Sequence, residues 1–135
     1  MPRLGNLLKD ISTTISPVDE GEYRAVVTVV ETLSNKSKLP MLTFTFKIQG
    51  SDFDGREVLE YCVMETKTGE VNDAGLRSIK KVCEPVFGER VDEDDFDTDE
   101  INSVEVNIYV VNEQYIDKSG LEQTASRLGR VIGAA

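Results

Sequence analysis

The stretch Met41 to Gln49, MLTFTFKIQ, alternates apolar and polar side chains without a break from Leu42 onward. Successive side chains of a strand point to opposite faces, so Leu42, Phe44, Phe46 and Ile48 share one face and Met41, Thr43, Thr45 and Lys47 the other. A helix would scatter the two phenylalanines around its axis. One greasy face and one wet face are the pattern of an antiparallel sheet covered on one side only.

The same period recurs along the chain. Tyr23, Ala25, Val27 and Val29 alternate with Arg24, Val26, Thr28 and Val30, a run rich in β-branched residues. The loop Ser34-Asn35-Lys36-Ser37-Lys38 ends at Pro40 and leads into the Met41–Gln49 strand. After the glycine turn at 50–55, Arg56 to Glu65 reads as a third strand, and Lys67-Thr68-Gly69 turns the chain again. Asn72 or Asp73 caps a helix expected to run to about Glu84, because Pro85 opposes continuation. Leu76, Ile79, Val82 and Cys83 are its expected buried stripe, with Arg77, Lys80 and Lys81 turned away from it. Ser103 to Val111 is a fourth strand, Asp117 to Gly120 a hairpin turn, and Glu122 to Val131 a fifth strand. The expected fold is therefore all-β with one helix: a five-stranded OB-fold-like barrel whose helix lies between strands three and four. Residues 1–17, in which Leu4, Leu7, Leu8, Ile11 and Ile15 fall near helical spacing before Pro17, are read as an N-terminal arm. Residues 18–135 form the domain.

Much conventional chemistry is missing. The chain has no histidine, which removes the commonest general base and the commonest transition-metal ligand. Gly50 to Gly55 has the opening spacing of a P-loop, but Arg56-Glu57 stands where Lys and Ser or Thr are required. Cys62 and Cys83 sit inside apolar patterns and are read as buried, reduced thiols. A non-enzymatic protein without a cofactor is expected. The leader has no long apolar run and no segment is long enough to span a membrane, so a cytoplasmic protein with no membrane contact is expected.

The formal net charge is −10, yet Glu89 to Glu100 alone holds eight acids and one base, a net −7 that leaves −3 for the remainder. The acidity is local and leaves room for a basic face elsewhere. Within this stretch Asp95, Asp97 and Asp99 have the opening spacing of a calcium loop, but Glu100 stands in place of the required glycine and Val106 in place of the closing glutamate. The stretch is expected to be a solvated, mobile connection anchored only by Val91 and Phe96, pointing away from the binding face.

Single-stranded nucleic acid is held by aromatic rings for the bases and cations for the phosphates. The alternation puts Arg24, Lys47 and Tyr109 on the wet face, with Lys36 and Lys38 in the neighbouring loop. Tyr61 joins them if Val58, Cys62 and Met64 point inward. Tyr115, Lys118, Arg127 and Arg130 are expected to cluster around the last hairpin.

The runs PVDEGEYRAVV, SNKSKLPMLTFTFKI and FDGREV resemble small phage-encoded single-stranded DNA-binding proteins of the OB-fold type, once catalogued as a domain of unknown function. The matching positions are Pro17, Gly21, Tyr23, Ser34 to Lys38, Leu42 to Ile48 and Gly55-Arg56, and the resemblance covers about residues 17–131. It implies a protein that coats single-stranded DNA during phage replication or recombination, in the host cytoplasm. Replication or recombination proteins and a second copy of the chain are compatible further partners. The C-terminus, SRLGRVIGAA, departs from the acidic tail common among single-stranded DNA-binding proteins. Two other readings compete: a virion structural or decoration protein, and a host-directed inhibitor whose acidic stretch imitates nucleic-acid phosphates.

Overall fold

The computed structural model describes Arg3, residues 17–33 and residues 38–135. Lys36 and all of the proposed arm except Arg3 and Pro17 lie outside the described residues. The element order is β1 (Gly21–Leu33), β2 (Pro40–Gln49), β3 (Glu57–Val63), α1 (Asp73–Phe87), β4 (Glu105–Ile116) and β5 (Glu122–Ala134). All ladders are antiparallel, and the order across the sheet is β3-β2-β1-β4-β5. The helix falls between the third and fourth strands, as expected. Among the described residues no helix is long and apolar enough to cross a membrane.

The core follows the alternation. Ala25, Val27 and Val29 of β1, Leu42, Phe44, Phe46 and Ile48 of β2, Val58 and Cys62 of β3, and Val106, Ile108 and Val110 of β4 are buried together. Val82 and Cys83 of α1 join them, and Val131 completes the layer from β5. Before β1, Val18 is buried as well, and its N–H donates to Ser126 Oγ on β5 at 2.7 Å.

The expected barrel does not close. Among the described residues β3 and β5 form the two edges of an open sheet, with no ladder between them. Two features account for this. Glu60 occupies the core-facing series of β3, between Val58 and Cys62, and a closed seam would bury its carboxylate. β5 also shifts register twice against β4, and such bulges bend an edge strand away from regular pairing.

The helix differs from expectation at both ends of its stripe. Its buried side runs through Gly75, Ile79, Val82, Cys83 and Val86, while Leu76 is 43% exposed. Gly75 fixes this rotation: a Cβ there would stand 1.7 Å from the Val63 carbonyl oxygen, so only glycine lets α1 approach the end of β3. Asn72, just before the helix, donates Nδ2–H to that same carbonyl at 3.0 Å. Pro85 lies inside the helix instead of ending it. Proline removes one backbone hydrogen bond, but it sits in the last turn, where Val86 and Phe87 pack against the core and hold the chain helical.

The acidic stretch is not an extended connection. It folds into two 3-10 turns, Gly88–Asp92 and Thr98–Ile101. Arg90 is its hub: the guanidinium donates to Glu93, to Asp95 at 2.7 Å and to Glu100 at 3.0 Å. The Arg90 side chain beside Asp95 holds that carboxyl below its usual range. Phe96 packs edge-on against Phe87 with 5.5 Å between ring centres. Asp97 and Glu100 form a capping box for the second turn, and Ile101 is fully buried. Val91 and Phe96 do anchor the stretch, but ion pairs supply the rest. It packs with α1 on the core side of the sheet.

Candidate nucleic-acid interface

The face of the sheet opposite the core carries most of the residues singled out from the sequence. Register places them. Lys47 stands opposite Val26 on β1, Arg24 opposite Asn107 on β4, and Tyr109 between Glu22 on β1 and Arg130 on β5. Arg127 stands opposite Val111. Lys47, Arg24, Tyr109, Arg130 and Arg127 thus form a diagonal stripe across four strands. Arg127 and Arg130 belong to this stripe and not to the hairpin tip, which corrects the expected cluster: β4 runs on to Ile116 and carries the turn away from them.

The stripe is balanced in charge. Arg24 is hydrogen-bonded to Glu105, and Arg127 donates Nε–H to Glu113 at 3.2 Å. Lys47 faces Glu57 across the β2–β3 ladder. Among the described residues Lys47 and Arg130 make no ion pair. Such exposed pairs are weak, about 0–1 kcal/mol each, so a phosphate can replace a carboxylate at little cost.

Beyond Lys47 the same face becomes uncharged. Leu59, Thr45 and Thr28 lie in one row and Tyr61, Thr43 and Val30 in the next. Tyr61 is 54% exposed, with Val58 and Cys62 inward as its orientation requires. Tyr109 is only partly exposed. Its Cδ1 would be 3.4 Å from a Cβ at Gly129, and its carbonyl oxygen 3.0 Å from it, so the ring covers the glycine of a β5 bulge. Tyr61 is therefore the open ring of this face and Tyr109 a partly covered one.

The hairpin tip stands apart. Asp117 accepts the N–H groups of Ser119 and Leu121 at 2.9 and 3.0 Å. These bonds, with one from Gln123, hold its carboxyl below the usual range. Tyr115, Ile116 and Leu121 are exposed around it, beside Lys118. Lys38 enters β2 with a left-handed backbone, φ 58°. Neither lysine joins the stripe.

Three helix cations outside the expected site line a groove beside it. A groove of about 600 Å³ runs between α1 and β5, at the unpaired seam of the sheet. Arg77, Lys80 and Lys81 line it from the helix, Arg130 lines it from β5, and Glu60 lies on the β3 side. Burial pushes the Glu60 carboxyl up, against the opposing pull of Arg127 and Lys81. The signal for Arg77 and Lys81 was present in the helical spacing, but not the strand against which that face would lie. Among the described residues no group of cysteines and carboxylates converges as a metal site.

No protein-family model and no curated protein matches the chain.

Proposed function

We propose that this chain is a non-enzymatic single-stranded DNA-binding protein of the small OB-like type, acting in phage replication or recombination in the host cytoplasm. The observation that carries the reading is the grouping of Tyr61, Lys47, Arg24 and Tyr109 on one face of the sheet, with uncharged Thr43, Thr45 and Thr28 between the rings. Bases stack on Tyr61 and lie across the threonine surface, while Lys47, Arg24 and Arg130 meet phosphates along the diagonal. The resemblance at Pro17, Gly21, Tyr23 and Gly55-Arg56 supports the same reading. Fluorescence anisotropy with a labelled oligothymidine tests it. Saturable binding that weakens with salt is expected; no binding at about 50 mM salt overturns it.

The uncharged patch of Val30, Thr43 and Tyr61 also favours a second reading, a virion structural protein using this face for protein contacts. Failure to bind DNA together with concentration-dependent self-association would select it.

A further inference from the structure

The groove between α1 and β5 has properties that the sheet face lacks. Its cations Arg77, Lys81 and Arg130 make no ion pair among the described residues. Its floor is aliphatic, with Val82, Pro85, Leu128 and Val131. Among the described residues no aromatic ring lines it, so they offer no platform on which a base can stack. One wall is an edge strand, since among the described residues β5 pairs only with β4. An edge strand presents alternating main-chain donors and acceptors, which an extended peptide can meet as a continuous ladder, whereas a nucleic-acid backbone offers no matching series of N–H donors. The volume, about 600 Å³, is that of an ordinary ligand cleft.

We propose that this groove binds an extended acidic peptide segment of a protein partner. The peptide lies along the β5 edge as an added strand. Side chains on one of its faces meet the aliphatic floor, and its carboxylates meet Arg77, Lys81 and Arg130. The partner is thus recognised by alternating acidic and apolar residues. The site shares only Arg130 with the sheet face, so one molecule can hold DNA and a partner protein together when that single arginine serves one of them and Arg77 and Lys81 hold the peptide. Lys80, on the groove's rim, is already held by Asp92 at 3.1 Å and Glu84 at 3.5 Å, which shows that carboxylates lodge at this helix face.

The test uses the full chain and a fluorescein-labelled peptide of alternating aspartate and valine. Anisotropy should show binding, and amide exchange should slow in β5. Arg77→Glu with Lys81→Glu should weaken the peptide about tenfold or more while leaving oligothymidine binding unchanged. Arg24→Glu with Lys47→Glu should do the reverse. Arg77→Gln with Lys81→Gln removes charge without adding repulsion and should weaken the peptide in the same direction; circular dichroism checks that each variant folds. Three outcomes overturn the proposal: no peptide binding to the wild-type chain at about 1 mM, equal peptide binding by the Arg77/Lys81 variants, or loss of oligothymidine binding in those variants, which would make the groove part of the DNA path.

Discussion

At Gly75 a single hydrogen atom decides how the helix docks. Alanine would place a carbon 1.7 Å from the Val63 oxygen, far inside contact distance, so α1 or β3 must move. Gly75→Ala should therefore destabilise the fold by about 1–3 kcal/mol, the usual cost of overpacking, despite the higher helix propensity of alanine. Urea denaturation measures it; an unchanged midpoint would show that α1 shifts freely. The two face tyrosines should separate by function. Tyr61→Ala removes an exposed ring and should cost about 1–3 kcal/mol of DNA affinity with little change in stability. Tyr109→Ala uncovers the bulge at Gly129 and should cost stability first, with the smaller loss of affinity; equal affinity losses would place both rings in the site. The buried thiols set an alkaline limit. Burial pushes Cys62 up to about 12 and Cys83 up to about 11. Unfolded thiols ionise near ~8.5, so above that pH the unfolded chain binds fewer protons than the folded one and stability falls as pH rises. Unfolding midpoints from pH 7 to pH 10 should decline, and Cys62→Ser with Cys83→Ser should flatten that decline.

The elements differ in how legible they were. β2 could be read from the sequence because each of its residues belongs plainly to one of two faces. The stripe of α1 was harder, since its first contact is Gly75, a residue that carries no apolar signal and buries by having no side chain. Leu76 then stands exposed although its spacing fits. Tertiary contact also overrode local preference at Pro85, where the packing of Val86 and Phe87 outweighs the lost hydrogen bond. The acidic stretch misled for a related reason. Counting charges predicts repulsion, but Arg90 gathers Glu93, Asp95 and Glu100, and no count shows that one arginine will face three carboxylates. Arg90→Ala should loosen this segment, seen as faster amide exchange from Gly88 to Ile101, while exchange in β2 stays unchanged. Acid should do the same by another route. The carboxyl of Asp95 is held low by Arg90, so its contribution is present above the unfolded value and is lost as pH falls through the folded one.

Across the whole molecule, the open seam and the placement of charge belong together. Glu60 on the inner series of β3 keeps the edges apart, and the cations of α1 and β5 line the gap. The seam was not legible in the sequence, because Glu60 declares itself only once β3 is known to lie opposite β5. The segment 89–100 packs with α1 on the core side of the sheet, and Debye screening of about 8 Å at physiological salt keeps most of its field from the proposed DNA face. That face is left nearly neutral, with Lys47 and Arg130 in no ion pair among the described residues and Arg24 and Arg127 held by Glu105 and Glu113. A strand binding here therefore engages about two phosphates if the pairs stay closed and about four if they open. With a slope of roughly −0.7 per phosphate for single strands, affinity should fall about 7-fold in the first case and 50-fold in the second between about 50 and 200 mM salt. Glu105→Gln distinguishes them. It frees Arg24 without removing it, so affinity at low salt should rise, and the slope should steepen by about 0.7 if the pair stays closed in the parent chain and phosphate takes the freed arginine. A slope unchanged at about −1.4 would mean that Arg24 meets no phosphate and that the strand is held by the rings, Lys47 and Arg130, whereas a slope unchanged at about −2.8 would mean that phosphate already displaces Glu105 from Arg24 in the parent chain, by the roughly −0.7 per phosphate of single strands.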